Sequence, residues 1–137
     1  MEKTIIATNE TIKEIVKSEI ERLGNNADLN HIDVSQVTDM NHLFDESGFE
    51  GDISNWDVSN VTNMEYMFLG SSFNGDISKW DVSSVENMYC MFAASKFEGD
   101  ISKWDVSNVT DMEDMFDDSP LKEDGNLPVW YEEEDGE

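Results

Sequence analysis

Gly51–Phe68 reads "GDISNWDVSNVTNMEYMF", Gly75–Phe92 reads "GDISKWDVSSVENMYCMF", and Gly99–Phe116 reads "GDISKWDVSNVTDMEDMF". The starts lie 24 residues apart, and a more diverged copy opens at Asp28. Across the four copies Ile32 aligns with Trp56, Trp80 and Trp104, and Val37 with Val61, Val85 and Val109. Met40, Met64, Met88 and Met112 form a further column, as do Phe44, Phe68, Phe92 and Phe116. A fixed period of this length marks a unit too small to bury its apolar face alone, which uses its neighbour instead. Two periodicities alternate within the unit. Val61, Met64 and Phe68 fall at i, i+3 and i+7, with Met67 beside them, the spacing of one helical face; Ser59 stands before them as N-cap, and Ser83 with Glu86 makes an S-x-x-E capping box. Phe73, Gly75 and Ile77 alternate by two, as do Trp80 and Val82, which reads as very short strands joined by a bend. The expected fold is therefore an α/β repeat solenoid, leucine-rich-repeat-like, with short parallel strands on one side and short helices on the other.

The flanks fit such a stack. Ile12, Ile15, Val16, Ile20 and Leu23 trace one stripe of a helix over Thr11–Leu23, stopped by Gly24. "GNLPVW" from Gly125 echoes "GDISKW" from Gly99 after a two-residue insertion around Pro120. Pro128 lacks an N–H, so the segment is expected as an edge strand that ends the stack, with Trp130 and Tyr131 closing the core and "EEEDGE" trailing into solvent. The expected organisation is a capping helix in residues 1–27, four solenoid repeats in 28–123, and a degenerate half-repeat with an acidic tail in 124–137.

The repeat resembles the BspA-like leucine-rich-repeat surface-protein family, whose signature reads much like F-x-G-D-I-S-x-W-D-V-S-x-V-x-x-M-x-x-M-F. The likeness covers about Asp28 to Leu121. It implies a leucine-rich-repeat-like fold, and a role in adhesion or host contact.

Charge narrows the function. The chain has 32 acidic and 8 basic residues in 137, a net charge of −24. Binding nucleic acid phosphates or an anionic membrane needs Lys and Arg, so both are excluded as direct partners. Residues 1–27 hold five acids and four bases, 28–111 sixteen acids and three lysines, and 112–137 eleven acids and one lysine, Lys122. At a rise of roughly 5–10 Å per unit the repeats carry about one charge per 1.5–3 Å, near the ~1.7 Å of duplex DNA. Solubility needs only about 2–8 net charges, so the excess points to a basic partner.

Asp52, Asp76 and Asp100 form one ladder, and Asp57, Asp81 and Asp105 another. At ~4.8 Å spacing two such charges repel by roughly 0.9 kcal/mol even in water. Asx-turns, in which each carboxylate accepts backbone N–H groups, would offset this; a row of calcium ions is the alternative, and no EF-hand loop or β-roll nonapeptide is present. His31 and His42 have no second ligand at a metal spacing, and Cys90 has no partner histidine or second cysteine. Catalytic motifs are absent, and copied units build no asymmetric pocket. The expectation is no enzyme, no cofactor and no metal. No apolar run reaches ~18 residues and no leader is visible, so the chain is expected to be soluble and cytoplasmic.

The columns that vary are those free for recognition. They hold the candidate partner-binding residues Asp45, Glu46, Glu65, Tyr66, Tyr89, Glu113, Asp114, Asp117 and Asp118, an aromatic centre with an acidic rim. The expected function is a non-enzymatic protein-binding module engaging a basic protein, of the kind that handles nucleic acid, and inhibiting it as a DNA mimic, with phage-type anti-defence inhibitors as one setting. Surface adhesion of the BspA type and a calcium-stabilised structural solenoid are the alternatives.

Overall fold

A computed structural model describes residues 3–132. The element order is β1 (Ile5–Ile6), α1 (Ile12–Leu23), β2 (Ile32–Asp33) and α2 (Pro120–Glu123). β1 pairs with β2 in parallel, Ile5 opposite Ile32 and Ile6 opposite Asp33. The repeats between β2 and α2 contain turns and isolated bridges only. The expected α/β leucine-rich-repeat-like solenoid is thus corrected: among the described residues no helix forms over Val61–Phe68, and no strand forms at Phe73–Ile77, at Trp80–Val82 or around Pro128. Ser83 and Glu86 cap nothing, because no helix follows them.

The reason lies in where the backbone hydrogen bonds go. Along Met64–Ser71, alternate N–H groups close short turns: Met67 donates to Met64 O, Leu69 to Tyr66 O and Ser71 to Phe68 O. The intervening ones leave the copy. Met64, Tyr66, Phe68 and Gly70 donate to Asn87, Tyr89, Met91 and Ala93 carbonyls at 2.9 Å each. Met40 to Glu46 bond to Asn63 to Leu69 in the same pattern, and Met88 to Ala94 to Asp111 to Asp117. An α-helix would satisfy those groups internally and leave neighbouring copies joined by side chains alone. The ribbon needs positive φ at every fourth residue. His42, Tyr66, Cys90 and Asp114 lie at φ 54–59°, and Glu46, Gly70, Ala94 and Asp118 at 55–64°. Two such residues cost about 2–4 kcal/mol per copy, while four inter-copy bonds contribute about 2–6 kcal/mol. The two nearly balance, so the apolar columns decide.

Those columns are buried in continuous files. Phe44, Phe68, Phe92 and Phe116 stack with centroids 5.6, 5.4 and 5.7 Å apart and rings within 7° of parallel. Phe49, Phe73 and Phe97 make a second file at 6.1 and 6.4 Å. Each tryptophan reaches back one copy: Trp56 Nε1 donates to Leu29 O, Trp80 to Ile53 O, Trp104 to Ile77 O and Trp130 to Ile101 O, all at 3.0–3.1 Å. The first three span 27 residues and the last 29, which absorbs the two-residue insertion. Pro120 begins α2, with Ser119 as N-cap accepting from Lys122 N.

α1 lies against the first copy through Ile12 and Val16, and Lys13 Nζ donates to Asn41 Oδ1 at 3.3 Å. Within it Glu19 is buried, accepting from Arg22 at 2.6 Å and from His31 Nε2 at 2.7 Å. The strand β1 ahead of this helix carries no periodicity to betray it, because two residues suffice.

The left-handed positions give a direct test. Ala94→Gly is expected to leave stability unchanged or raise it by up to about 1 kcal/mol. Ala94→Val, β-branched at φ 55°, is expected to cost about 2 kcal/mol or more. Denaturant unfolding followed by tryptophan fluorescence reads both.

Candidate interaction surface

The aspartate ladders are built from D-x-S turns. Asp52, Asp76 and Asp100 each take the N–H and hydroxyl of Ser54, Ser78 and Ser102 on Oδ1, at 2.9–3.0 and 2.7 Å. Asp57, Asp81 and Asp105 do the same with Ser59, Ser83 and Ser107. In Asp33, Asp76, Asp81, Asp100 and Asp105 the serine hydroxyl, then its backbone N–H, holds the carboxyl below its ordinary range. In Asp52 the Ser54 N–H leads. Turn-making therefore accounts for the ladders and favours the ionised form of these six aspartates. Among the described residues no group of three or more His, Cys, Asp or Glu is placed to hold a metal ion, so the calcium alternative has no site there.

A third column escaped the sequence reading. Asp39, Asn63, Asn87 and Asp111 accept the N–H two residues on, from Asn41, Glu65, Tyr89 and Glu113. The same four residues form the parallel bridges between copies. Its signal was an Asn-or-Asp column directly before the methionines.

All nine candidate residues fall on the turn ribbons. Tyr66 stacks on His42 at 4.6 Å and meets Tyr89 edge-on at 5.2 Å, so the aromatic centre exists as three rings. Asp45 Oδ2 holds His42 Nδ1 at 2.6 Å, while its buried Oδ1 has no partner. Glu65 Oε1 sits 3.4 and 3.3 Å from the side-chain amides of Asn63 and Asn87, bridging two copies. Glu113, Asp114, Asp117 and Asp118 are exposed on the last ribbon, where Lys122 lies 3.6 Å from Asp117. Glu46, Tyr66, Asp114 and Asp118 occupy positive-φ positions, so two of the columns that vary are under backbone constraint. Cys90 beside Tyr89, with the Tyr66 hydrogen bond, pushes the Tyr89 phenol up to about 12. Burial chiefly raises the Cys90 thiol, which leaves it a poor nucleophile.

The ladder aspartates run in two files along the repeats, each with Oδ1 turned to a serine. The repeats between β2 and α2 hold turns in place of strands and helices, so the leucine-rich-repeat description is withdrawn, and the DNA-mimic and inhibitor readings, which the fold does not support, are withdrawn with it. Among the described residues no helix is long and apolar enough to cross a membrane. The acidic "EEEDGE" tail, beyond Glu132, lies outside the described residues.

Fold and surface together define a protein built of turn-based repeats with an acidic exterior. The chain belongs to the family described as "Mycoplasma protein of unknown function, DUF285", whose profile matches residues 11–130. Neither the curated proteins nor the solved structures contain a match.

Glu19 supplies the pH prediction. Its hydrogen bonds from Arg22 and then His31 lower its pKa from 4.5 to about 2. A folded pKa below the unfolded value gives stability that is present above about pH 4.5 and lost as pH falls towards 2. Glu19→Gln is expected to cost about 1–3 kcal/mol at pH 7. The gap to the parent protein should close between pH 4.5 and 2, as read by urea unfolding at each pH.

Proposed function

We propose that the protein is a non-enzymatic binding module whose acidic surface engages a basic protein. The observation that carries this is the set of exposed aspartate ladders, in which serine hydrogen bonds hold the Asp52, Asp76, Asp81, Asp100 and Asp105 carboxyls below their ordinary range, on a chain of net charge −24. The local turns offset the repulsion along each ladder without neutralising it, so the field remains available to steer an oppositely charged partner. The rings of His42, Tyr66 and Tyr89, with Asp45, Glu65 and Glu113 at neighbouring ribbon positions, support a contact area running along three copies. Proteins that handle nucleic acid are the first class to try, since their grooves are lined with Lys and Arg, and the cytoplasm is the proposed setting.

The test is retention of basic proteins on the immobilised chain at low and at high salt, beside a Tyr66→Asn variant. Asparagine tolerates positive φ, so this change removes the ring and spares the backbone. Salt-sensitive retention, weakened in the variant, supports the reading; no retention at low salt ends it.

The likeness of the repeat to BspA-like surface proteins favours a second setting for the same binding, contact at a cell surface. Protease treatment of intact cells separates the two, because only a displayed protein is cut.

A further inference from the structure

The ladder between copies stops at the last ribbon. Thr38, Thr62 and Glu86 carbonyls each accept from the following copy, and Met40, Met64 and Met88 N–H groups each donate to it. Among the described residues Thr110 O, Met112 N–H and Asp114 N–H have no such partner. The apolar residues there are also under-covered. Val109 and Met112 are half-buried, whereas Val85 and Met88 are 0 % exposed. They line a shallow recess of about 500 Å³ with Thr110, Asp111, Glu113 and Trp130. Further along, Tyr131 packs edge-on against Phe116 at 4.9 Å and closes the ribbon, so the open stretch is Val109–Asp114.

We propose that this edge is the docking strip for an extended, lysine- or arginine-rich segment of a partner protein. The proposal rests on the acidic-surface reading and gives it a location. One residue of the segment would take the place that Asn87 holds against Asn63. Its N–H would donate to Thr110 O and its carbonyl would accept from Met112 N–H. The carbonyl two residues on would accept from Asp114 N–H. Side chains of an extended chain alternate between faces, so apolar ones would cover Val109 and Met112 while basic ones reach Asp111, Glu113 and Asp114. Charge complementarity selects this occupant. Residues 112–137 carry eleven acids against Lys122 alone, and a second copy would bring its own net charge of −24 to the contact.

The experiment is amide-resolved NMR on the full chain at low salt, titrated with an eight-residue peptide of alternating lysine and valine. The expected result is slowed hydrogen exchange at Met112 and Asp114 and little change at Met64 and Met88. The double variant Asp111→Asn, Glu113→Gln should weaken binding about tenfold. Asn63 and Asn87 already make the same turn, so the fold is kept. The control double variant Glu14→Gln, Glu21→Gln, on the exposed side of α1, makes the same change in net charge and should alter affinity less than about twofold. Binding that leaves Met112 and Asp114 untouched, or weakens equally in both variants, overturns the edge while leaving the acidic-surface reading standing. No binding of the peptide also overturns the edge; the acidic-surface reading falls only if basic proteins too fail to be retained. Protection of these amides without peptide, lost on dilution, assigns the edge to a second copy and overturns the proposal.

Discussion

Gly51→Ala is expected to destabilise the protein by about 3 kcal/mol or more. A Cβ at Gly51 would stand 1.9 Å from Ala27 O and 2.7 Å from the Phe49 ring. The first obstacle is backbone, and that backbone is fixed because Asp52 N–H donates to the same Ala27 O at 3.0 Å. Relief therefore means prising the first copy away from the second, at the cost of the Asp28–Asp52 bridge. Gly48→Ala is the control. Its Cβ would meet the Asn25 side-chain amide at 3.2 Å, a group that can swing aside, and the cost should stay below about 1 kcal/mol. Equilibrium unfolding of the two variants side by side reads the difference.

Trp80 carries the second large effect. Its ring is 4 % exposed, tilts against Phe68 at 6.4 Å and donates to Ile53 O at 3.1 Å. Trp80→Ala removes packing worth about 3–5 kcal/mol and one of the two hydrogen bonds to Ile53 O, which keeps the Trp56 N–H, a further 0.5–1.5 kcal/mol or so. A loss of this size approaches the whole stability of a typical domain, so the variant is expected to be largely unfolded. Trp80→Phe separates the two causes: it keeps an aromatic ring in the file and loses the hydrogen bond, with an expected cost of about 0.5–1.5 kcal/mol from that bond. If Trp80→Phe proved as damaging as Trp80→Ala, the hydrogen bond would matter more than the file.

The tryptophan, methionine and phenylalanine columns were legible because burial acts on every copy alike and leaves the same letter in the same place. The ribbon conformation was not. Val61, Met64 and Phe68 have helical spacing, yet a chain of overlapping four-residue turns also brings every third or fourth side chain to one side. Two facts separate the alternatives. The column of His42, Tyr66, Cys90 and Asp114 contains no β-branched residue, as positive φ demands. The column of Asp39, Asn63, Asn87 and Asp111 supplies the side-chain acceptors that turns use and helix interiors disfavour. Phe73, Gly75 and Ile77 alternate as a strand would, but alternation records only which side is buried; the one bridge in the corresponding stretch of the described copies is Asp28–Asp52, and the others run through Asn63 and Asn87.

For the surface, charge was readable residue by residue, and so was the meeting of Tyr66 with Tyr89. The open edge at Val109–Asp114 was not, because the sequence there copies the buried edges of earlier units. Val109 and Met112 occupy the same columns as Val85 and Met88; what differs is that no further copy covers them among the described residues.

The central claim is that alternate N–H groups of the first three ribbons bond to the next copy and not back along their own chain. Scalar couplings transmitted across hydrogen bonds, measured by NMR on labelled protein, test it directly. Couplings are expected from Met64, Tyr66 and Phe68 nitrogens to the carbonyl carbons of Asn87, Tyr89 and Met91. Couplings from the same nitrogens to carbonyls four residues earlier in the chain would show a helix in the repeat and contradict the account.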